Sequence, residues 1–199
     1  MELSVAALAA AVVVFIVTNI DDIVILGMLY SDPRIGRRAV VIGQYIGIAA
    51  LTAASAVVAY LALAIPPGWT SLLGVVPLAI GIRKFIELRS PQTEDAASTD
   101  LASGSSKFAQ IATVTAVTIA SGGDNLSVYI PLFANDTSII PSYVVAFMAL
   151  TGVWCVLGYA LVKNPAGAAV IGRWGHILLP LVLVIIGAQI LWGARVLFQ

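Results

Sequence analysis

The polar positions of this chain are bunched, and what lies between them is apolar. No Asp, Glu, Lys or Arg falls between Arg38 and Arg83, or between Asp136 and Lys163. Six apolar runs result: Leu3–Tyr30, Ala39–Ile65, Ser71–Leu88, Phe108–Ala134, Pro141–Val162 and Ile177–Leu197. Each is close to or above the roughly 20 residues an α-helix needs to cross the hydrocarbon core of a bilayer. Backbone groups in that core must be bonded within their own segment, so runs of this length predict helices. Pro66-Pro67-Gly68 separates the second run from the third, and "NPAGAAVIGRWG" separates the fifth from the sixth.

Composition agrees. The chain is 60% hydrophobic and 10% charged, where a soluble domain carries about 25% charged residues. The expected fold is an all-α integral membrane protein with six transmembrane helices. It divides into residues 1–87 and 108–199, three helices each. The segment between them, "LRSPQTEDAASTDLASGSSK" (Leu88–Lys107), is polar and aperiodic and reads as a flexible loop. The N-terminal run has Glu2 where a signal peptide would be basic, and it outlasts an ordinary h-region, so it reads as the first span.

Charge adds orientation. Nine of the ten Lys and Arg residues lie in or beside the loops after the first, third and fifth runs; the tenth is Arg195. Basic loops stay in the cytoplasm. The loop 88–107 is therefore expected there, with both termini outside, in a multi-pass cell-membrane protein. A net charge of zero points to no nucleic-acid partner. The lone Cys155 closes no intramolecular disulfide and makes no thiolate cluster.

Two apolar runs contain carboxylates, which are costly in a bilayer and mark function by default. The first has "TNIDDIVIL" (Thr18–Leu26) and the fourth "TIASGGDNLSVYIPLF" (Thr118–Phe133). They align with Thr18 on Ser121, Asp21 on Asp124 and Asp22 on Asn125. "VVPLAIG" in the third run likewise echoes "LLPLVLVIIG" in the sixth. Three spans per half is an odd number, so the second repeat must be inverted, as in many transporters. Gly122, Gly123 and Pro131 make the fourth span a candidate broken helix. The first has no comparable breaker, since Gly27 follows the motif. If Asp21 and Asp124 are to share one site, both motifs must lie near the midplane, so the first and fourth helices are expected to be interrupted or bent, or else to extend well beyond the bilayer.

The polar set contains oxygen donors only: Asp21, Asp22, Asp124, Asn125, Thr18, Asn19 and Ser121, with Ser127 beside them. Thr18 lies one turn from Asp21 and Asp22, and Ser121 one turn from Asp124 and Asn125, so each set is expected on one helix face. Gln44, in "GQYIG", offers a further carbonyl oxygen, or else bonds a neighbouring helix across a Gly43-xxx-Gly47 packing face. Such a site suits a divalent metal cation as substrate, with no cofactor. Gln189 and His176 are weaker candidates. No Walker A pattern, nucleophile or His cluster points to ATP hydrolysis or an enzyme. Carboxylates left without a cation would bind protons, which favours proton exchange.

These two motifs, with the length and the central loop, resemble the cadmium resistance transporters (CadD type) of the lysine exporter superfamily. The resemblance implies efflux of divalent heavy-metal cations from the cytoplasm and heavy-metal resistance, with Asp21, Asp22, Asp124 and Asn125 as the central residues. Cadmium prefers softer ligands than these oxygens, so a harder ion such as manganese stays open, as does zinc. So do a homodimer, an amino-acid exporter of the same superfamily, and a non-transporting membrane subunit. The expected partners are the cation and the bilayer.

Overall fold

The computed structural model describes residues 5–20, 22–62, 64, 75–87 and 106–164, and in the sixth apolar run 181, 184, 185, 187, 188, 191 and 192. Among these residues the chain is all-helical, without strands. The helices are α1 (Val5–Thr18), α2 (Asp22–Ser31), α3 (Arg37–Ala62), α4 (Val75–Glu87), α5 (Lys107–Ser121), α6 (Gly123–Asn135) and α7 (Ile140–Lys163). A 3-10 turn, Thr137–Ile139, leads into α7. By length and composition, Arg37–Ala62 and Thr137–Lys163 can each cross a membrane alone, and α1 with α2 qualifies as a third, bent span. Along α3 and α7 the exposed side chains are apolar, Leu61 and Val156 among them, except for Arg37 and Arg38 at the start of α3 and Lys163 at the end of α7, as lipid contact requires.

The first span is interrupted, as a site shared by Asp21 and Asp124 called for, although it holds no Gly or Pro before or within its motif to break it. Its helix stops at Thr18 and restarts at Asp22, with a bend of 62°. The cause is a contact from far along the chain. In a continuing helix the Asn19 carbonyl would accept a bond from four residues on; here it accepts the Trp154 indole N–H at 2.7 Å. The Asn19 side chain turns back to the Phe15 carbonyl, 2.9 Å away, the local bonding by which Asn competes with helix continuation. The fourth span is broken as expected, at Gly122. That residue's N–H still bonds the Thr118 and Ile119 carbonyls, while its own carbonyl accepts from Leu126. Pro131 lies within α6 without ending it. Gly122 is needed for space: a Cβ there would overlap the Leu51 side chain.

One register relates the two halves of the chain. The end of α1 at Thr18 corresponds to the end of α5 at Ser121, and the start of α3 at Arg37 to the start of α7 at Ile140 (121 − 18 = 140 − 37 = 103). Packing follows the same correspondence crosswise. Helices α1 and α2 lie against α7, while α5 and α6 lie against α3. The contacts at the breaks match too, since Trp154 on Asn19 corresponds in this register to Leu51 on Gly122.

Small residues make the crossings close. A Cβ on Gly43 would lie 2.6 Å from that of Val114, and one on Gly47 2.6 Å from that of Thr118. The expected Gly43-xxx-Gly47 face is thus the seat of α5, and Thr115 Oγ1 donates across it to the Gly43 carbonyl at 3.2 Å. Gly158 similarly seats Leu26, and Gly187 seats Leu78, which brings the third and sixth runs together.

Basic residues collect at one end. Gly36 N–H donates to Gln110 Oε1 at 3.0 Å, placing the start of α5 beside that of α3. Arg37 and Lys163 both lie over the Tyr159 ring, at 4.6 and 4.9 Å. Arg34 pairs with Asp32 at 2.8 Å and holds that carboxyl below the usual carboxylate range. A lowered carboxyl stays ionised through mild acidification, so this exposed pair is lost only as the pH falls through the lowered value.

Gly43→Ala and Gly47→Ala should each lower the unfolding midpoint in detergent, by about 1–3 kcal/mol of overpacking. Gly27→Ala, with nothing within 4 Å of its Cβ, should be neutral or stabilising by up to about 1 kcal/mol. Equal effects at the three positions would refute the crossing geometry.

Candidate cation site

The two breaks meet. Asn19, just past the end of α1, and Asn125, in the first turn of α6, approach each other directly, with Asn125 Nδ2 3.4 Å from Asn19 Oδ1. Tyr129, one turn further along α6, reaches the same place. Its hydroxyl is 3.1 Å from Thr18 Oγ1 and accepts from Asn19 Nδ2 at 3.2 Å. Thr18, Asn19, Asn125 and Tyr129 are fully buried. The two acidic motifs therefore converge, which sequence spacing alone left open.

The carboxylates flank this contact. Asp22 opens α2, Asp124 lies in the first turn of α6, and both are buried. In the chain Asp22 is three residues from Asn19, and Asp124 adjoins Asn125. A helix N-terminus carries partial positive charge and a C-terminus partial negative charge. The starts of α2 and α6 thus stabilise the carboxylates, while the ends of α1 and α5 offer carbonyl-end charge to a cation. Asp124 Oδ1 also accepts the Asn125 backbone N–H at 3.0 Å. Asn125 Oδ1 is buried with no hydrogen-bond partner among the described residues. In an apolar interior an unmade bond of this kind costs about 1–3 kcal/mol, and a bound cation would remove that cost.

The remaining sequence candidates are placed differently. Asp21, Gln189 and His176 lie outside the described residues. Thr18 and Asp22 do not share a helix face, nor do Ser121 and Asp124, because each break falls between them. Ser121 Oγ turns back to the Thr118 carbonyl at 3.1 Å, and Ser127 Oγ donates to that of Asp124 at 2.6 Å. Gln44 Oε1 accepts from Thr118 Oγ1 at 2.7 Å, a bond to a neighbouring helix one turn before the break. Among the described residues no three of Asp, Glu, His and Cys cluster. Of the motif carboxylates, Asp22 and Asp124 fall among the described residues, and amide and hydroxyl oxygens make up the rest of a hard donor set.

Sequence reasoning missed Tyr129 and Trp154. Tyr129 had a signal: it lies four residues after Asn125, so a helix places both on one face. Trp154 had none beyond its place in an apolar run. Trp154→Phe should leave the Asn19 carbonyl without its donor and lower the unfolding midpoint by about 1–3 kcal/mol. A variant as stable as the parent would show that the break does not depend on this bond.

A sequence model of the cadmium resistance transporter family matches residues 15–197, nearly the whole chain and both motifs. No curated protein and no solved structure matches the chain.

Proposed function

The chain belongs to the cadmium resistance transporter family, and on that premise we propose that it exports divalent metal cations from the cytoplasm across the cell membrane, cadmium among them. The observation that carries this reading is the meeting of two interrupted helices at one buried set of oxygens, Asn19 Oδ1 and Asn125 Oδ1, with Asp22 and Asp124 beside them. Asp21 joins them by its place next to Asp22, and Thr18 is within reach through Tyr129. Ser121 and Gln44 stand one step back, bonded to α5.

The six runs act as six spans in two inverted repeats of three. The common register and the crosswise packing support this arrangement, and interrupted helices near the midplane are where such transporters hold their ions. The end that gathers Arg34, Arg37 and Lys163 faces the cytoplasm by the positive-inside rule. With the cation present, the carboxylates are neutralised and stay ionised. When it leaves, like charges in low dielectric repel, and protons take its place. Proton movement against the metal follows from that exchange. The oxygen-only donor set holds cadmium more weakly than thiolates would, which allows its release.

Reconstituted protein with a metal-sensing dye inside the vesicles should show flux of cadmium, with manganese and zinc as competitors. Asp22→Asn and Asp124→Asn should each reduce flux at least about tenfold, since even outer-shell changes cost metal sites that much. Parental flux in both variants would reject the site. Flux of a basic amino acid with none of any divalent ion would reject the substrate class. A pH dye in the same vesicles should report protons moving opposite to the metal, and metal flux with no pH change would refute the exchange.

A further inference from the structure

Equivalent positions in the two halves carry opposite chemistry. Phe15 of α1 packs on Phe147 of α7 with ring centroids 5.4 Å apart. In the common register their equivalents are Thr118 and Gln44, which form a hydrogen bond of 2.7 Å. Tyr129 and Trp154 correspond to Leu26 and Leu51. On one side of the breaks, therefore, stand four aromatic residues. On the other stand two hydrogen-bonding side chains and two leucines.

The aromatic side is tied to the site in a closed circuit. Asn19 Nδ2 donates to the Tyr129 hydroxyl. The Tyr129 ring lies 4.6 Å from Phe147, Phe147 packs on Phe15, and Phe15 meets Trp154 edge-on at 5.4 Å. Trp154 closes the circuit by donating to the Asn19 carbonyl. The same Asn19 presents its Oδ1 to Asn125 at 3.4 Å, a long bond that a cation would readily replace. A cation bound there pulls on the residue that anchors both ends of the circuit.

We propose that this ring circuit is the gate between the cation site and the membrane face at which α6 ends and α7 begins, with Tyr129 as its latch, and that the Gln44–Thr118 pair is the thinner gate toward the opposite face. The proposal rests on the transport reading. Ring faces and edges give a partly dehydrated divalent ion no oxygen, so ions pass there only when the circuit opens. Gln44 Oε1 and Thr118 Oγ1 can exchange their mutual bond for contact with the ion or its water. Tyr129 acts as a positioning residue: its hydroxyl holds Thr18 and Asn19 against the rings, so occupancy of the site and opening of the barrier are linked through it.

The test uses the full chain in proteoliposomes, in one orientation, with Cys155→Ser removing the native thiol and Ser121→Cys placing a reporter at the break. A charged, membrane-impermeant thiol reagent is applied to one face at a time. The parent should be labelled from the face where α3 begins and resist labelling from the other. Phe15→Thr with Phe147→Gln transplants the polar pair to the aromatic side, and Tyr129→Phe removes only the latch hydroxyl. Both should speed labelling from the closed face, by up to roughly tenfold for the single lost bond. Should the double variant not fold, Phe147→Leu replaces it. Equal labelling of the parent from both faces, or unchanged closed-face rates in folded variants, overturns the gate. Divalent flux is measured in parallel without the reporter. Asymmetric labelling without flux leaves the barrier standing and removes the transport reading; flux with symmetric labelling does the reverse.

Discussion

A helix interrupted inside a bilayer leaves backbone groups that only protein can bond. The carbonyl of Asn19 is such a group, and the indole of Trp154 bonds it. Much of the site depends on that one contact. It ends α1 and lets α2 start at Asp22, which puts a carboxylate at a helix N-terminus, where its charge is favoured. It also ties the break to the ring cluster of Phe15, Phe147 and Tyr129. The second break is made differently, by a glycine that admits Leu51. One fold thus uses a hydrogen bond in one half and a void-filling contact in the other to obtain the same interruption.

Electrostatics and packing assist each other at the crossing. Broken helices supply both kinds of terminus in one place, so carboxylates and a cation can each find a favourable dipole nearby. The close seating of α5 on Gly43 and Gly47 brings Thr118 up to Gln44. A bulkier residue at either glycine would push α5 away and carry its end, Ser121, with it.

Much of this was legible in the sequence. The helical class, the two acidic motifs and their correspondence follow from apolar periodicity and from the cost of carboxylates in a bilayer. Gly122 announced its own break, because a glycine pair weakens a helix locally. A break in the first span was called for only by the need to bring the two motifs together, and its place at Asn19 was not legible. Its cause lies 135 residues away, and nothing around "TNIDD" names the indole that would stop the helix. The shared helix faces expected for Thr18 with Asp22 and for Ser121 with Asp124 failed because i,i+4 reasoning presumes a continuous helix, and each pair straddles a break. Tyr129 was legible in principle, by its spacing from Asn125, but an aromatic in an apolar run draws attention only once its hydroxyl has a partner.

The crosswise packing has a consequence for how the chain is made. Helices α1 and α2 lie mainly against α7 of the other half, with only a minor contact of α2 on α3 in their own. During synthesis the first broken span enters the membrane long before its partner exists. Until Trp154 has been inserted, the Asn19 carbonyl and the Asp22 carboxylate must be sheltered by water, by lipid headgroups or by the insertion machinery. The fold is interlocked in the manner of an exchanged pair, so its halves mature together and the first is completed by the second.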